Sequence, residues 1–104
     1  MAQTSLFVKM VAQPGKRDEM LTALEGMLAQ VAQEEGTLVY SFHLDAGDEN
    51  TIWIFELYTD GDALALHGGS DAMKSCFEAL GPLFAEPPMM VMATPTARAK
   101  GLPS

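Results

Sequence analysis

The chain has 104 residues, 48% of them hydrophobic and 19% charged, the size and balance of one globular domain with one modest core. Six basic against fourteen acidic side chains leave a formal charge of −8, which repels a polyanion and makes nucleic acid a poor partner. A single cysteine excludes an internal disulfide or a C-x-x-C pair, and no apolar run approaches the roughly 20 residues that span a bilayer.

The opening Met1-Ala2-Gln3-Thr4-Ser5 has neither the basic segment nor the apolar core of a secretion signal, so a cytoplasmic location is expected. Ser5 to Val11 alternates Leu6, Val8 and Met10 against Phe7, Lys9 and Val11, a period of two that predicts the first strand. Pro14-Gly15 breaks it. From Lys16, Met20, Leu24, Met27, Leu28 and Val31 recur at helical spacing, with Leu21 widening the stripe, so one long helix is expected to run until Gly36. Glu34 and Glu35 then fall where the helix dipole disfavours anions, and they read as solvated charges.

Thr37 to Asp45 sets Leu38, Tyr40, Phe42 and Leu44 on one face and Val39, Ser41 and His43 on the other, a second strand. Gly47, Asp48 and Asn50 supply turn chemistry, so the next strand should pair with it antiparallel. That strand, Thr51 to Tyr58, is dense in β-branched and aromatic residues and carries one carboxylate, Glu56, which needs a partner if buried. Thr59-Asp60-Gly61-Asp62 can cap a short helix ending at His67, which Gly68-Gly69 is expected to close through a left-handed conformation. Ser70 can cap another helix, with Met73, Phe77, Leu80 and Phe84 as its stripe and Pro87-Pro88 as its stop. Met89 to Thr94 reads as a final strand, and Pro95 to Ser104 as a tail. The expected organisation is one domain over residues 1–94 followed by a tail over 95–104.

Strand, helix, strand, strand, helix, strand is the α+β ferredoxin-like arrangement: a four-stranded antiparallel sheet with its helices on one face. The third strand exceeds what such a monomer needs, since Ile52, Ile54 and Tyr58 alternate with the equally apolar Trp53, Phe55 and Leu57. Helices cover one face only, so a second copy packed on the other face, a homodimer, is expected. Two histidines without H-E-x-x-H spacing, and no glycine-rich phosphate loop, predict no metal and no cofactor.

Pro14-Gly15 before the first helix, Glu35-Gly36-Thr37-Leu38-Val39-Tyr40 at the second strand, and Phe55-Glu56-Leu57-Tyr58-Thr59-Asp60 followed by Ala63-Leu64 and His67 together resemble the antibiotic-biosynthesis monooxygenase (ABM) family. The resemblance covers roughly Leu6 to Thr94. It implies a dimeric α+β barrel and a cofactor-independent monooxygenase acting on a quinol, phenol or polyketide-like aromatic with O₂. The same fold also hosts haem-degrading enzymes and an isomerase of a signalling sugar. Family members commonly carry Trp where this chain has Tyr58, and a second histidine where it has Ala72; haem-degrading relatives use a first-strand Asn that Leu6 to Val11 lacks.

A cofactor-free oxygenase needs a base to ionise its substrate and an apolar pocket to exclude water. His67 is the expected base, against the alternative of a helix-ending histidine bonded to backbone carbonyls or Glu56. Glu56 is expected to orient it or bind a substrate hydroxyl, and Tyr58 to donate to an oxyanion, each against a local structural role. His43, Trp53 and Phe77 complete the set as substrate contacts, with dimer-interface or core roles open for His43 and Trp53. The competing function is a non-catalytic dimer that binds a small apolar ligand, or an isomerase of a small carbonyl or sugar-derived metabolite on the same fold.

Overall fold

Strand β3, Thr51–Tyr58, occupies the middle of the molecule because its residues suit both a pleat and a core: Ile52, Ile54 and Leu57 are buried. In a computed structural model, which describes residues 2–103, it is flanked by β1, Thr4–Val11, and β2, Thr37–Leu44, both antiparallel to it. The fourth strand, β4, Met89–Ala93, pairs antiparallel with the far side of β1, giving the order β2-β3-β1-β4. This is the ferredoxin-like α+β fold.

Register fixes which side chains share a face. Leu6 of β1, Glu56 of β3 and Tyr40 of β2 stand side by side across three strands, and Val8, Ile54 and Phe42 form the next row. These rows face the helices. Their core is closed by Met20 and Leu24 of α1, Arg17–Glu25, Met27 of α2, Met27–Val31, and Met73, Cys76 and Leu80 of α4, Asp71–Leu80. A bulge between Thr37 and Val39 admits Leu38 as one extra residue where β2 begins.

The long first helix of the sequence reading is two helices. Gly26 interrupts it; glycine is disfavoured in a helix by about 1 kcal/mol relative to alanine, and the chain restarts so that Met27 turns inward while Leu28 is left exposed. Helical geometry stops at Val31, well before Gly36, so Glu34 and Glu35 belong to the turn leading into β2. Gly36 has a different task. A Cβ there would lie 2.5 Å from Ala63 Cβ, so only glycine lets this turn press against α3, Gly61–Gly68.

Asp60 caps α3, accepting from the Ala63 N–H at 2.9 Å, and Ser70 caps α4, accepting from the Met73 N–H at 3.1 Å. Gly69 is not left-handed as expected: at φ −91 it donates to the Ala65 carbonyl, and Ser70 follows at once as the next cap. The stripe of α4 stops at Leu80; a 3₁₀ turn, Gly81–Leu83, carries the chain to Phe84, which bridges to Ala12. Among the described residues, no helix is long and apolar enough to cross a membrane.

Candidate functional site

Between the sheet and the helices α3 and α4 lies a cavity of about 230 Å³, walled by Leu6, Val8, Ile54, Leu64, Met73, Phe77 and Met90. Its apolar wall is interrupted by Tyr40, Glu56 and His67. The sequence places them there for separate reasons. Glu56 and Tyr40 are cross-strand neighbours on the helix-facing side, and His67 sits one helical turn beyond Ala63, on the face of α3 that meets the Gly36 turn.

His67 is 4% exposed, and no other residue of α3 is buried. Its Nδ1 lies 2.9 Å from Glu34 Oε1, so the ring is tied to a carboxylate 33 residues away rather than to a helix-ending carbonyl. Glu34 also accepts from Thr37 Oγ1 at 2.8 Å and from Gln30 Nε2 at 2.9 Å. Burial pushes its carboxyl up, but the hydrogen bonds from Gln30, Thr37 and His67, with the His67 charge, outweigh burial and hold it below the usual range. An ionised Glu34 can only accept, so Nδ1 must carry the proton and, in the neutral ring, Nε2 carries the lone pair.

Nε2 points toward Glu56, whose Oε1 is 3.9 Å away, beyond hydrogen-bond reach. That oxygen is already engaged: the Tyr58 hydroxyl donates to it. Burial raises the Glu56 carboxyl, against the lowering by Tyr58 and His67, with Glu34 adding to the rise. Burial first, and then its bond to Glu56, drive the Tyr58 phenol far above its ordinary value. The site therefore contains two carboxyls with opposite displacements, one on each side of the imidazole, a pattern that separates acid and base roles.

Opposite displacements carry opposite pH signatures. The stabilisation from Glu34, whose folded value is lowered, is complete above the unfolded value and is lost as pH falls through the folded one. Glu56 has the reverse sign: its contribution is complete below the unfolded value and is lost as pH rises through the raised folded one. In melting temperatures measured from acid to neutral pH, Glu34→Gln should flatten the acid limb and Glu56→Gln the limb above the ordinary carboxylate range. Identical profiles for the two variants would contradict the assignment.

A family model described as antibiotic biosynthesis monooxygenase matches residues 5–79. The chain belongs to the antibiotic biosynthesis monooxygenase family. A Caulobacter crescentus CB15 structure described as a candidate antibiotic biosynthesis monooxygenase is 30% identical to this ABM chain, covers 91% of each chain and superposes with a TM-score of 0.87. Rv0793 from Mycobacterium tuberculosis is 22% identical over 95% of this chain and 100% of its own, with a TM-score of 0.86. A Nitrosomonas europaea protein, also described as a candidate antibiotic biosynthesis monooxygenase, is 16% identical over 95% of each chain at a TM-score of 0.88. The last two show the fold alone. A search of curated proteins gives no match.

In this ABM chain the cavity receives three of the six residues singled out from sequence, His67, Glu56 and Phe77, with Tyr58 packed 5.6 Å from the His67 ring and bonded to Glu56. His43 and Trp53 stand on the opposite sheet face, where odd-numbered positions of β2 and β3 project, paired with each other across the strands. There Trp53 Nε1 donates to Asp45 Oδ1 at 2.7 Å, Lys9 Nζ lies 5.7 Å from the Trp53 ring, and His43 Nε2 is 2.9 Å from Ser41 Oγ. Two site residues were not singled out from sequence, Glu34 and Tyr40. The inward parity of Tyr40 with Glu56 was readable from the strand pattern; the contact of Glu34 with His67 has no local signature. Among the described residues no three His, Cys, Asp or Glu side chains are grouped to hold a metal ion.

Proposed function

We propose that this ABM-family chain is a cofactor-independent monooxygenase of a small aromatic substrate with an ionisable phenol or enol. The observation that carries the reading is His67: its Nδ1 is committed to Glu34, and its ring lines an apolar cavity with Nε2 free to take a proton. Nε2 removes the substrate proton, and the resulting anion gives one electron to O₂. Substrate radical and superoxide combine into a carbon–oxygen bond, and the peroxide loses water to leave a carbonyl. A ring CH₂ thereby becomes C=O, one oxygen atom enters the product and the other leaves as water, all four electrons coming from the substrate. The enzyme supplies deprotonation and water exclusion. Oxygen uptake with quinols, naphthols and anthrones, insensitive to chelator, is the expected result; saturable binding of these compounds without uptake would transfer the site to the second reading, a ligand-binding module. That reading is favoured by one feature, the packing of Ala72 against the core where a second histidine would otherwise stand.

The working unit is proposed to be a homodimer through the sheet face opposite the helices. That face carries Phe7 at 48% exposure, Trp53 at 38% and Val91 at 51%, with the Phe7 and Phe55 rings 5.3 Å apart. Light scattering should report a dimer at micromolar concentration, and the double substitution Phe7→Lys, Trp53→Lys a folded monomer. A wild-type monomer would overturn this arrangement.

A further inference from the structure

Two tyrosines flank the His67 ring, and only one has its hydroxyl engaged. Tyr58 donates to Glu56 Oε1 and does not line the cavity. Tyr40 does line it, with its ring centroid 5.2 Å from that of His67 and an edge-on contact to Phe42 at 5.3 Å and 77° that sets the ring's tilt. Its hydroxyl makes no hydrogen bond to any described residue. Nor is that oxygen sealed in: among the described residues the one fully enclosed side-chain oxygen or nitrogen without a partner is Thr51 Oγ1. A phenol with a free O–H, beside the imidazole and on the wall of a mainly apolar cavity, lacks the partner that such groups normally have.

We propose that Tyr40, not Tyr58, donates the hydrogen bond to the ligand oxygen that His67 deprotonates, so that the cavity selects aromatic ligands bearing a phenol or enol oxygen. The inference rests on the functional reading above, in which this cavity is the ligand site. A neutral O–H facing a ligand oxygen makes a stronger bond once that oxygen is an anion, so Tyr40 favours the ionised ligand and shares with His67 the work of producing it. Tyr40 is suited to stay protonated while doing so: burial, and then its acidic neighbours, Glu56 first, drive its own phenol far above the ordinary value. Tyr58 has a different role in this scheme, holding the Glu56 oxygen that His67 Nε2 faces.

The test uses 2-naphthol and naphthalene as probes, because they share an aromatic body and differ by the hydroxyl. Tyr40→Phe keeps the ring against Phe42 and His67 and removes one oxygen. Relative to wild type, it should lower the preference for 2-naphthol over naphthalene by about tenfold and move the absorbance-detected ionisation of bound 2-naphthol about one pH unit upward, the scale of one hydrogen bond to a charged oxygen. Naphthalene affinity should be unchanged. If Tyr40→Phe melts lower, both readouts are taken below its transition, since each is a ratio or a shift within one folded sample. Unchanged preference and ionisation in Tyr40→Phe overturn the donor role of Tyr40 and leave the cavity reading standing. Loss of preference in Tyr58→Phe alone assigns the donor to Tyr58 and also overturns it. Failure of wild type to bind either probe overturns the cavity reading and the proposal together.

Discussion

His67→Ala should lower oxygen uptake on an active naphthol or anthrone by about 10²- to 10⁴-fold, the range associated with loss of a positioned general base. The loss should fall on kcat, because the cavity wall that binds the aromatic body is built mainly from Leu6, Val8, Ile54, Leu64, Met73 and Phe77, which the substitution leaves in place. Removing the imidazole also strips Glu34 of one of three donors, although Gln30 and Thr37 remain bonded to it. His67→Gln separates the two effects, since its amide can still donate toward Glu34 but has no basic nitrogen. His67→Gln should keep the far-ultraviolet circular dichroism of the wild type, His67→Ala should lose at most the small contribution of α3, and the two should lose turnover together. Recovery of turnover in His67→Gln would show that the histidine acts as a tether and that the base lies elsewhere.

Gly36→Ala should destabilise the fold by about 1–3 kcal/mol, the usual range for forcing an extra methyl into a packed contact. The backbone at Gly36 is not left-handed, so the effect is steric: the new Cβ would meet Ala63 Cβ at 2.5 Å and Thr59 Oγ1 at 3.2 Å. The consequence reaches the site. The Gly36 turn carries Glu34, and Ala63 is one helical turn from His67, so prising the turn from α3 lengthens the 2.9 Å contact that orients the His67 ring. Chemical denaturation measures the first effect and kcat the second. Ala63→Gly in the same chain should recover part of the lost stability by removing the opposing methyl, a positive coupling that a double-mutant cycle reads directly. Wild-type stability in Gly36→Ala would show that the two segments separate without penalty.

The fold was legible wherever a period was unbroken. Alternation in Ser5 to Val11, Thr37 to Asp45 and Thr51 to Tyr58 reports the first three strands because each has one face in the core, and the chain order then leaves few topologies. The closeness of Glu56 and His67 was legible because one capped turn joins β3 to α3. What escaped was non-local. Glu34 and Glu35 look alike in sequence; Glu35 is exposed, while Glu34 turns inward because Gln30, Thr37 and a histidine from a distant helix supply donors. The break at Gly26 was hidden by apolar spacing that continues across it, and no local pattern says that Glu56 captures the hydroxyl of Tyr58 and not that of Tyr40.

Helix α3 buries one side chain, His67, and leaves Leu66 at 77% exposure, with Gly68 and Gly69 immediately behind it. An eight-residue helix is too short to persist on its own propensity and depends on what anchors it. Besides the Asp60 cap and the contact of Ala63 with Gly36, it is tied by the bond between imidazole and Glu34. The proposed base and one tie that orders this cavity wall are thus the same side chain, so in that reading selection on the first also bears on the second. A lineage that abandoned the chemistry but kept the pocket would still be obliged to keep a donor at position 67.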